Sequence, residues 1–289
     1  MHELTFRGRT LFLKRDDLIH PIIGGNKARK LSFLLDYPRP IHTIVSYGSL
    51  HSNAMAALSY IAKERGWKFH YYARFDARSL ETPRGNLAYA LANGMELRDI
   101  ADLEDAWLIE KNLHSRALYR KGTLFVPEGA RCAEAQRGVA LLAQEIAAWA
   151  KERALTIFLP SGTGTTVLFL SRALAHTPHR VYTVPCVGDA RYLREQFFAL
   201  DPDTSPHPSI LAPPKKYRFG RLYHELYAIW RELRESSGIT FDLLYDPVAF
   251  LTLMHSDELF DRPLLYIHQG GLLGNETMIA RYKQKFGRI

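Results

Sequence analysis

The sequence predicts an α/β fold: mostly parallel, twisted sheets with crossover helices packed on their faces. Two observations carry this. Strand-like and helix-like segments alternate nearly throughout, which is how parallel strands are joined. No internal repeat, low-complexity segment or obvious linker interrupts the alternation. A chain of 289 residues can hold one large core or two modest domains, so a second domain would be an insertion into the first.

The elements follow in order. Gly24-Gly25-Asn26 opens an apolar helix that runs on through Leu31, Phe33, Leu34 and Leu35. Ile41 to Gly48 is apolar and β-branched and reads as a buried strand. Ser52 to Gly66 is a helix, with Met55, Leu58, Ile61 and Ala62 on one face. The aromatic-rich Lys68 to Phe75 is strand-like, and Gly85 to Asn93 is helical. Thr123 to Val126 is a strand and Ala133 to Arg153 a long amphipathic helix. Leu155 to Leu159 is a strand that runs into a loop of Gly, Ser and Thr, and Thr166 to Ala175 is the helix beyond it. Arg180 to Val187 is a strand. Arg221 to Ser236 is helical, with Leu222, Leu226, Ile229 and Leu233 at helical spacing. Leu264 to His268 is the last strand and Asn275 to Phe286 the last helix. Asp201 to Lys216, rich in Pro and Ser, reads as a surface loop or mobile edge.

Composition excludes several classes. Apolar residues at 47% and charged residues at 24% describe a folded globular chain, not a disordered one. No apolar run reaches the roughly 18 residues of a membrane span. Met1-His2-Glu3-Leu4 lacks the basic-then-apolar order of a signal peptide. Cys132 and Cys186 match no metal-ligand spacing, and each reads as a small buried apolar residue. A reducing cytoplasm is the expected location. The net charge of +8 admits a nucleic-acid partner, but Lys and Arg are scattered and run no longer than pairs such as Arg29-Lys30 and Lys215-Lys216. A basic surface on an enzyme that handles anions accounts for the charge better.

Three constellations carry chemistry. In Gly24-Gly25-Asn26-Lys27-Ala28-Arg29-Lys30, glycines allow close approach of backbone to a ligand. A lysine in the first helical turn faces the positive end of the helix dipole, which favours the neutral amine that a Schiff-base nucleophile needs. Lys30, three residues on, lies on nearly the same face and could bind an anion. Taken alone, the segment also describes a solvated basic N-terminal turn. Ser46 to Asn53 joins a buried strand to a helix start, where ligands bind in parallel sheets; Ser52 or Asn53 is the expected N-cap. Pro160-Ser161-Gly162-Thr163-Gly164-Thr165-Thr166 joins another strand to a helix. Its small residues free backbone amides for an anion, and the spacing fits neither a Walker loop nor a dinucleotide fingerprint. A single phosphate is the expected ligand, with a plain strand-to-helix turn as the alternative.

Together these pieces resemble the 1-aminocyclopropane-1-carboxylate (ACC) deaminase and D-cysteine desulfhydrase family, within the tryptophan-synthase-β-like, fold type II enzymes of pyridoxal 5′-phosphate (PLP). The resemblance runs from Leu13-Lys14-Arg15-Asp16-Asp17-Leu18 and the Lys27 segment through Gly48-Ser49-Leu50-His51-Ser52-Asn53 and Pro127-Glu128-Gly129. It continues through Ser161 to Thr166 and Gly238-Ile239 to Tyr245-Asp246, and ends at His268-Gln269-Gly270-Gly271. It implies two three-layer αβα domains: a large one from residues 1–30 and 131–289, and a smaller one, 31–130, inserted in it. The active site would lie in the cleft between them, and a homodimer is implied.

It also implies roles. Lys27 matches the Schiff-base lysine and Lys30 a lysine near the cofactor phosphate. Asn53 matches the asparagine on the pyridine hydroxyl, and Ser52 a serine that faces substrate and takes part in proton transfer. The phosphate loop falls on Ser161, Gly162, Thr163, Gly164, Thr165 and Thr166. Tyr245 and Asp246 match a Tyr-Glu pair whose acid sits by the pyridine nitrogen, though Asp is a methylene shorter and Asp246-Pro247 also reads as an exposed turn. The chemistry implied is loss of a Cα proton and a β-leaving group, or opening of the ACC ring, giving a keto acid and ammonia.

Several positions depart from the pattern. His51 stands where relatives carry Gln, and either contacts the substrate carboxylate or caps the helix. Pro247 replaces a common Gly. Phe219 falls where ACC deaminases carry a substrate-facing Tyr, with Tyr217 nearby as a substitute. The substrate therefore stays open among small amino acids. A racemase or dehydratase on the same fold, a member that has lost activity and a nucleic-acid-binding protein are the alternatives.

Overall fold

The computed structural model describes residues 1–103, 109–118, 120–203 and 206–287. It contains two sheets. Strands β1 (His2–Phe6), β2 (Arg9–Arg15), β7 (Thr156–Ser161), β8 (Arg180–Pro185), β9 (Ser209–Ile210) and β10 (Leu264–His268) form the larger, in the order β1-β2-β10-β7-β8-β9. Strands β3 (Thr43–Tyr47), β4 (Lys68–Ala73), β5 (Met95–Asp99) and β6 (Thr123–Phe125) form the smaller, in the order β5-β4-β3-β6. All pairs are parallel except β1 with β2, a hairpin turned through Arg7 and Gly8 at φ 47° and 76°.

The helices are α1 (Gly25–Lys30), α2 (Asn53–Arg65), α3 (Arg78–Glu81), α4 (Gly85–Ala92), α5 (Ile109–Leu118) and α6 (Ala135–Ala150). Then come α7 (Thr165–Ala173), α8 (Ala190–Leu200), α9 (His224–Ser237), α10 (Asp246–Met254) and α11 (Gly274–Phe286). Both sheets are covered on both faces. Along β7, Phe158 packs with Leu226 and Trp230 of α9 and Phe250 of α10, while Ile157 and Leu159 pack with Val139 and Leu142 of α6 and Leu168 of α7. In β3, Ile44 joins Met55 and Leu58 of α2, and Val45 joins Leu113 of α5. Period-2 alternation between two apolar layers explains why these strands are apolar throughout.

The chain departs from its sequence pattern in definite places. The helix expected to run through Leu35 stops at Lys30. Leu31 leaves helical geometry at φ −96°, ψ 3°, and a 3-10 turn, Ser32–Asp36, follows. The tighter turn buries Leu31, Phe33 and Leu34 and leaves Leu35 61% exposed, which a continued α-helix would not sort this way. Within Asp201 to Lys216, β9 adds a two-residue edge strand to β8; residues 204 and 205 lie outside the described set. The β1–β2 hairpin, β5, α3, α5, α8 and α10 are absent from the sequence reading. Among the described residues no helix is long and apolar enough to cross a membrane.

Candidate active site

Helix α1 is seated by close backbone approaches at both ends of the chain. A Cβ on Gly24, at φ 61°, would stand 2.9 Å from the amide of Gly271, and one on Gly25 only 2.3 Å from the Asp16 carbonyl oxygen. The amide of Asn26 donates to the Gln269 carbonyl at 3.1 Å. Behind the helix, Arg29 makes a two-pronged contact with Asp16 at 2.5 and 2.8 Å and reaches Glu145 of α6 at 2.8 Å. Lys14 of β2 closes the cluster, 2.8 Å from each acid. This network fixes the direction in which Lys27 and Lys30 project.

Both amines titrate below the ordinary lysine value. Burial pulls Lys27 down to about 8, with Asp242 opposing, and its Nζ donates to Asn26 Oδ1 at 3.3 Å. Lys30 falls well below the usual lysine value through burial first and the charge of Lys27 second; its Nζ donates to the Gly129 carbonyl. Two buried amines with only neutral hydrogen-bond acceptors form a site that gains from an anion.

The β3–α2 junction supplies the opposite wall. Ser52 is the N-cap of α2, its Oγ accepting from the amides of Ala54 and Met55 at 3.2 and 3.3 Å, with the Tyr71 hydroxyl as a further neighbour. Asn86 of α4 donates Nδ2 to Asn53 Oδ1 at 2.8 Å and to the His51 carbonyl at 2.7 Å. That leaves Asn53 Nδ2 as the donor facing the glycine turn, where a Cβ on Gly271 would meet it at 2.6 Å. The cap belongs to Ser52, so His51 is not the helix cap; its ring lines the cavity, and burial lowers its pKa.

The β7–α7 junction is built so that it could cradle an anion. Ser161, Thr165 and Thr166 are buried, Thr163 and Thr165 hydroxyls lie 3.1 Å apart, and Gly164 turns the chain at φ 71°. A Cβ on Gly164 would stand 2.4 Å from Phe197 and 2.6 Å from Leu193. The first-turn amides of α7 and its dipole face the cavity. The Ser161 hydroxyl is turned to Thr183 at 2.7 Å, so it is the loop backbone that is offered.

The remaining wall is acidic and aromatic. Asp246 is not in an exposed turn: it is 2% exposed and opens α10, with Pro247 in the first turn, where proline fits a helix. Asp242, 3% exposed, accepts at Oδ1 from the amides of Leu244 and Tyr245, both at 2.7 Å. Burial holds both carboxyls well above the ordinary range, and for Asp242 the charge of Asp246 adds to it. The Tyr245 hydroxyl lies over Gly162, 3.3 Å from where its Cβ would be. Phe219 packs on Tyr245 at 5.3 Å, whereas Tyr217 packs on Tyr223 away from the site.

One cavity of about 270 Å³ is lined by Lys27, Lys30, His51, Ser52, Asn53, the whole Ser161 to Thr166 loop, Tyr245 and Asp246. Sequence reasoning brought these together and missed Asp242, Glu128 and Tyr192, which line the same cavity. Glu128 stood inside a quoted motif without a role, and Asp242 lies four residues before Asp246 in a stretch with no turn signal.

A family model for pyridoxal-phosphate dependent enzymes matches residues 2–217. The chain belongs to that family. Among its relatives is a Pyrococcus horikoshii protein provisionally named 1-aminocyclopropane-1-carboxylate deaminase, 27% identical over 92% of this chain and 86% of the relative. Another, from Oryza sativa subsp. japonica, is provisionally named D-cysteine desulfhydrase 2, mitochondrial, 26% identical over 96% of this chain and 82% of the relative. The backbone superposes on a crystal structure of an ACC deaminase homologue with a TM-score of 0.79 at 24% identity, covering 96% of this chain and 89% of that one. The fold is therefore that of fold type II PLP enzymes, and the family's cofactor is PLP. The residues present fit it: Lys27 and Lys30 share one cavity with the 161–166 loop, so an amine for an aldehyde and donors for an anion stand together.

Proposed function

We propose that this protein is a PLP-dependent lyase that removes a β-substituent from a small amino acid, releasing a keto acid and ammonia. The observation that carries the reading is Lys27, a half-buried lysine near the head of α1 whose pKa is pulled down to about 8, sharing one cavity with the loop at the start of α7. When bound, PLP supplies an electron sink for charge left at a substrate Cα.

The chain's own groups then divide the work. Lys27 would hold the cofactor's aldehyde and supply the base for the Cα proton, for which a pKa of about 8 suits it. Lys30 and the amides of Ser161 to Thr166 hold the phosphate. Asn53, oriented by Asn86, offers Nδ2 to the ring hydroxyl. Asp246 and Asp242, which line the same cavity, would face the ring nitrogen. Ser52 directs its proton toward substrate, His51 takes the substrate carboxylate, and Tyr245 faces the departing group. Residues 31–130 act as the smaller unit, and its closure over the substrate excludes water.

Between the two activities for which relatives are named, Phe219 favours β-elimination over ring opening. It lines the cavity without a hydroxyl, and Tyr217 packs elsewhere. The test is direct. Purified protein should be yellow, and borohydride should fix the cofactor on the peptide that carries Lys27. Protein that stays colourless with added PLP overturns the reading. Keto-acid release from D-cysteine, L-cysteine, D-serine and ACC then ranks the substrates, and release from ACC alone overturns β-elimination.

A further inference from the structure

Glu128 places a carboxylate in the cavity that the chemistry above does not use. It opens the 3-10 turn Glu128–Ala130 after β6, and its carboxylate lies over the β3–α2 turn. A Cβ on Gly48 would stand 2.9 Å from Glu128 Oε1 and 2.7 Å from the Tyr71 hydroxyl. That hydroxyl is committed to the Ser49 carbonyl at 3.0 Å. Arg131, whose charge acts on Glu128, is paired with Glu110 at 2.9 Å, and Tyr47 donates to the same Glu110 oxygen at 2.8 Å. Among the described residues, Glu128 is thus left with no hydrogen-bond or ion-pair partner. Burial raises its pKa, and the charge of Glu110 adds to the effect against Arg131. The Tyr192 and Tyr245 hydroxyls both feel its charge from across the cavity.

A carboxylate that lines the cavity and pairs with no side chain is open to a donor that a ligand brings. Lys27 and Lys30 cannot supply it, since they are committed to the cofactor in the reading above. We propose that Glu128 recognises the substrate's side chain. The substrate class is then a small α-amino acid that carries an N–H or O–H donor on its β-carbon, an ammonium or a hydroxyl, and not an all-hydrocarbon ring or methyl. An ammonium is the better match, because it supplies both a donor and the charge that favours ionised Glu128. This assignment rests on the PLP reading and deepens it by naming the side chain the site selects.

The experiment uses the yellow holoenzyme, whose colour settles the cofactor separately. The D and L forms of 2,3-diaminopropionate, serine and alanine, together with ACC, are titrated while the visible spectrum reports binding. Wild-type protein should bind diaminopropionate and serine about tenfold or more tightly than alanine or ACC. Glu128→Gln should lose the preference for diaminopropionate over serine and keep that for serine over alanine. Glu128→Ala should lose both, with alanine affinity and the unliganded spectrum unchanged, which shows the fold and cofactor site intact. Equal affinity for alanine and serine in the wild type, or preferences that survive both substitutions, overturn the proposal and leave the PLP reading standing. Colourless protein overturns both.

Discussion

The backbone amide of Asp242 donates to Oδ2 of Asp246 at 2.8 Å, while the Tyr266 hydroxyl occupies Oδ1 of the same carboxylate. Both oxygens of Asp246 are therefore engaged within the protein. Asp242 spends Oδ1 on two amides and keeps Oδ2 toward Gly271, where a Cβ would meet it at 3.1 Å. The two acids are tied to each other and to β10 at the floor of the cavity.

Tyr266→Phe removes the donor and strands a buried carboxylate oxygen. Such a loss costs about 1–3 kcal/mol. Urea denaturation of the apoprotein should show a drop of that size. An unchanged midpoint would mean that the hydrogen bond contributes nothing net.

The pH dependence of cofactor capture follows from Lys27. Its ammonium is weakened to about 8, and only the neutral amine attacks an aldehyde. The rate of PLP incorporation into apoprotein should therefore rise with pH below about 8 and level off above it. Stopped-flow absorbance measures this. A rate still climbing toward pH 10 would place the amine in an unburied setting.

Arg29 is 6% exposed and shares Asp16 with Lys14. Removing one partner of a buried pair costs about 3–5 kcal/mol, because the other charge is left behind. Because Lys14 still pairs Asp16, Arg29→Met should lose less than that, and PLP binding should weaken because α1 loses its anchor. Thermal melts and cofactor titration check both.

Gly164→Ala meets two obstacles at once, a φ of 71° and side chains of Phe197 and Leu193 within 2.6 Å of the new Cβ. Strain at such a position costs about 1–3 kcal/mol. Weaker PLP binding with a modest loss of stability is the expected outcome. Free phosphate should compete with PLP less well in this variant than in the wild type.

Much of this was legible in the chain. Strands buried on both faces show themselves as unbroken apolar runs, and β7 and β3 do so. The lysine segment, the Ser52 turn and the Ser161 loop stand out because glycines and hydroxyls cluster at strand–helix junctions. What stayed hidden has equally physical causes. Helix α10 is apolar on every side, so no period marks it as a helix, and an Asp-Pro pair at its start mimics a turn. Strand β5 is a sheet-edge strand whose residues Glu96, Arg98 and Asp99 are polar. Asp242 and Glu128 gain meaning only from what surrounds them, which spacing along the chain does not encode.

The crossing of Gly24 with Gly271 has a consequence for how the protein is made. Asn26 meets Gln269 across 243 residues of chain, and β2 pairs directly with β10. The seat of Lys27 is thus completed by a segment made long after the lysine itself. A nascent chain that stops short of β10 holds its lysine and its phosphate loop but has no finished floor beneath them. Cofactor loading then becomes a step that follows synthesis of β10, and a product truncated before it would be left colourless without having lost any residue of the proposed phosphate loop.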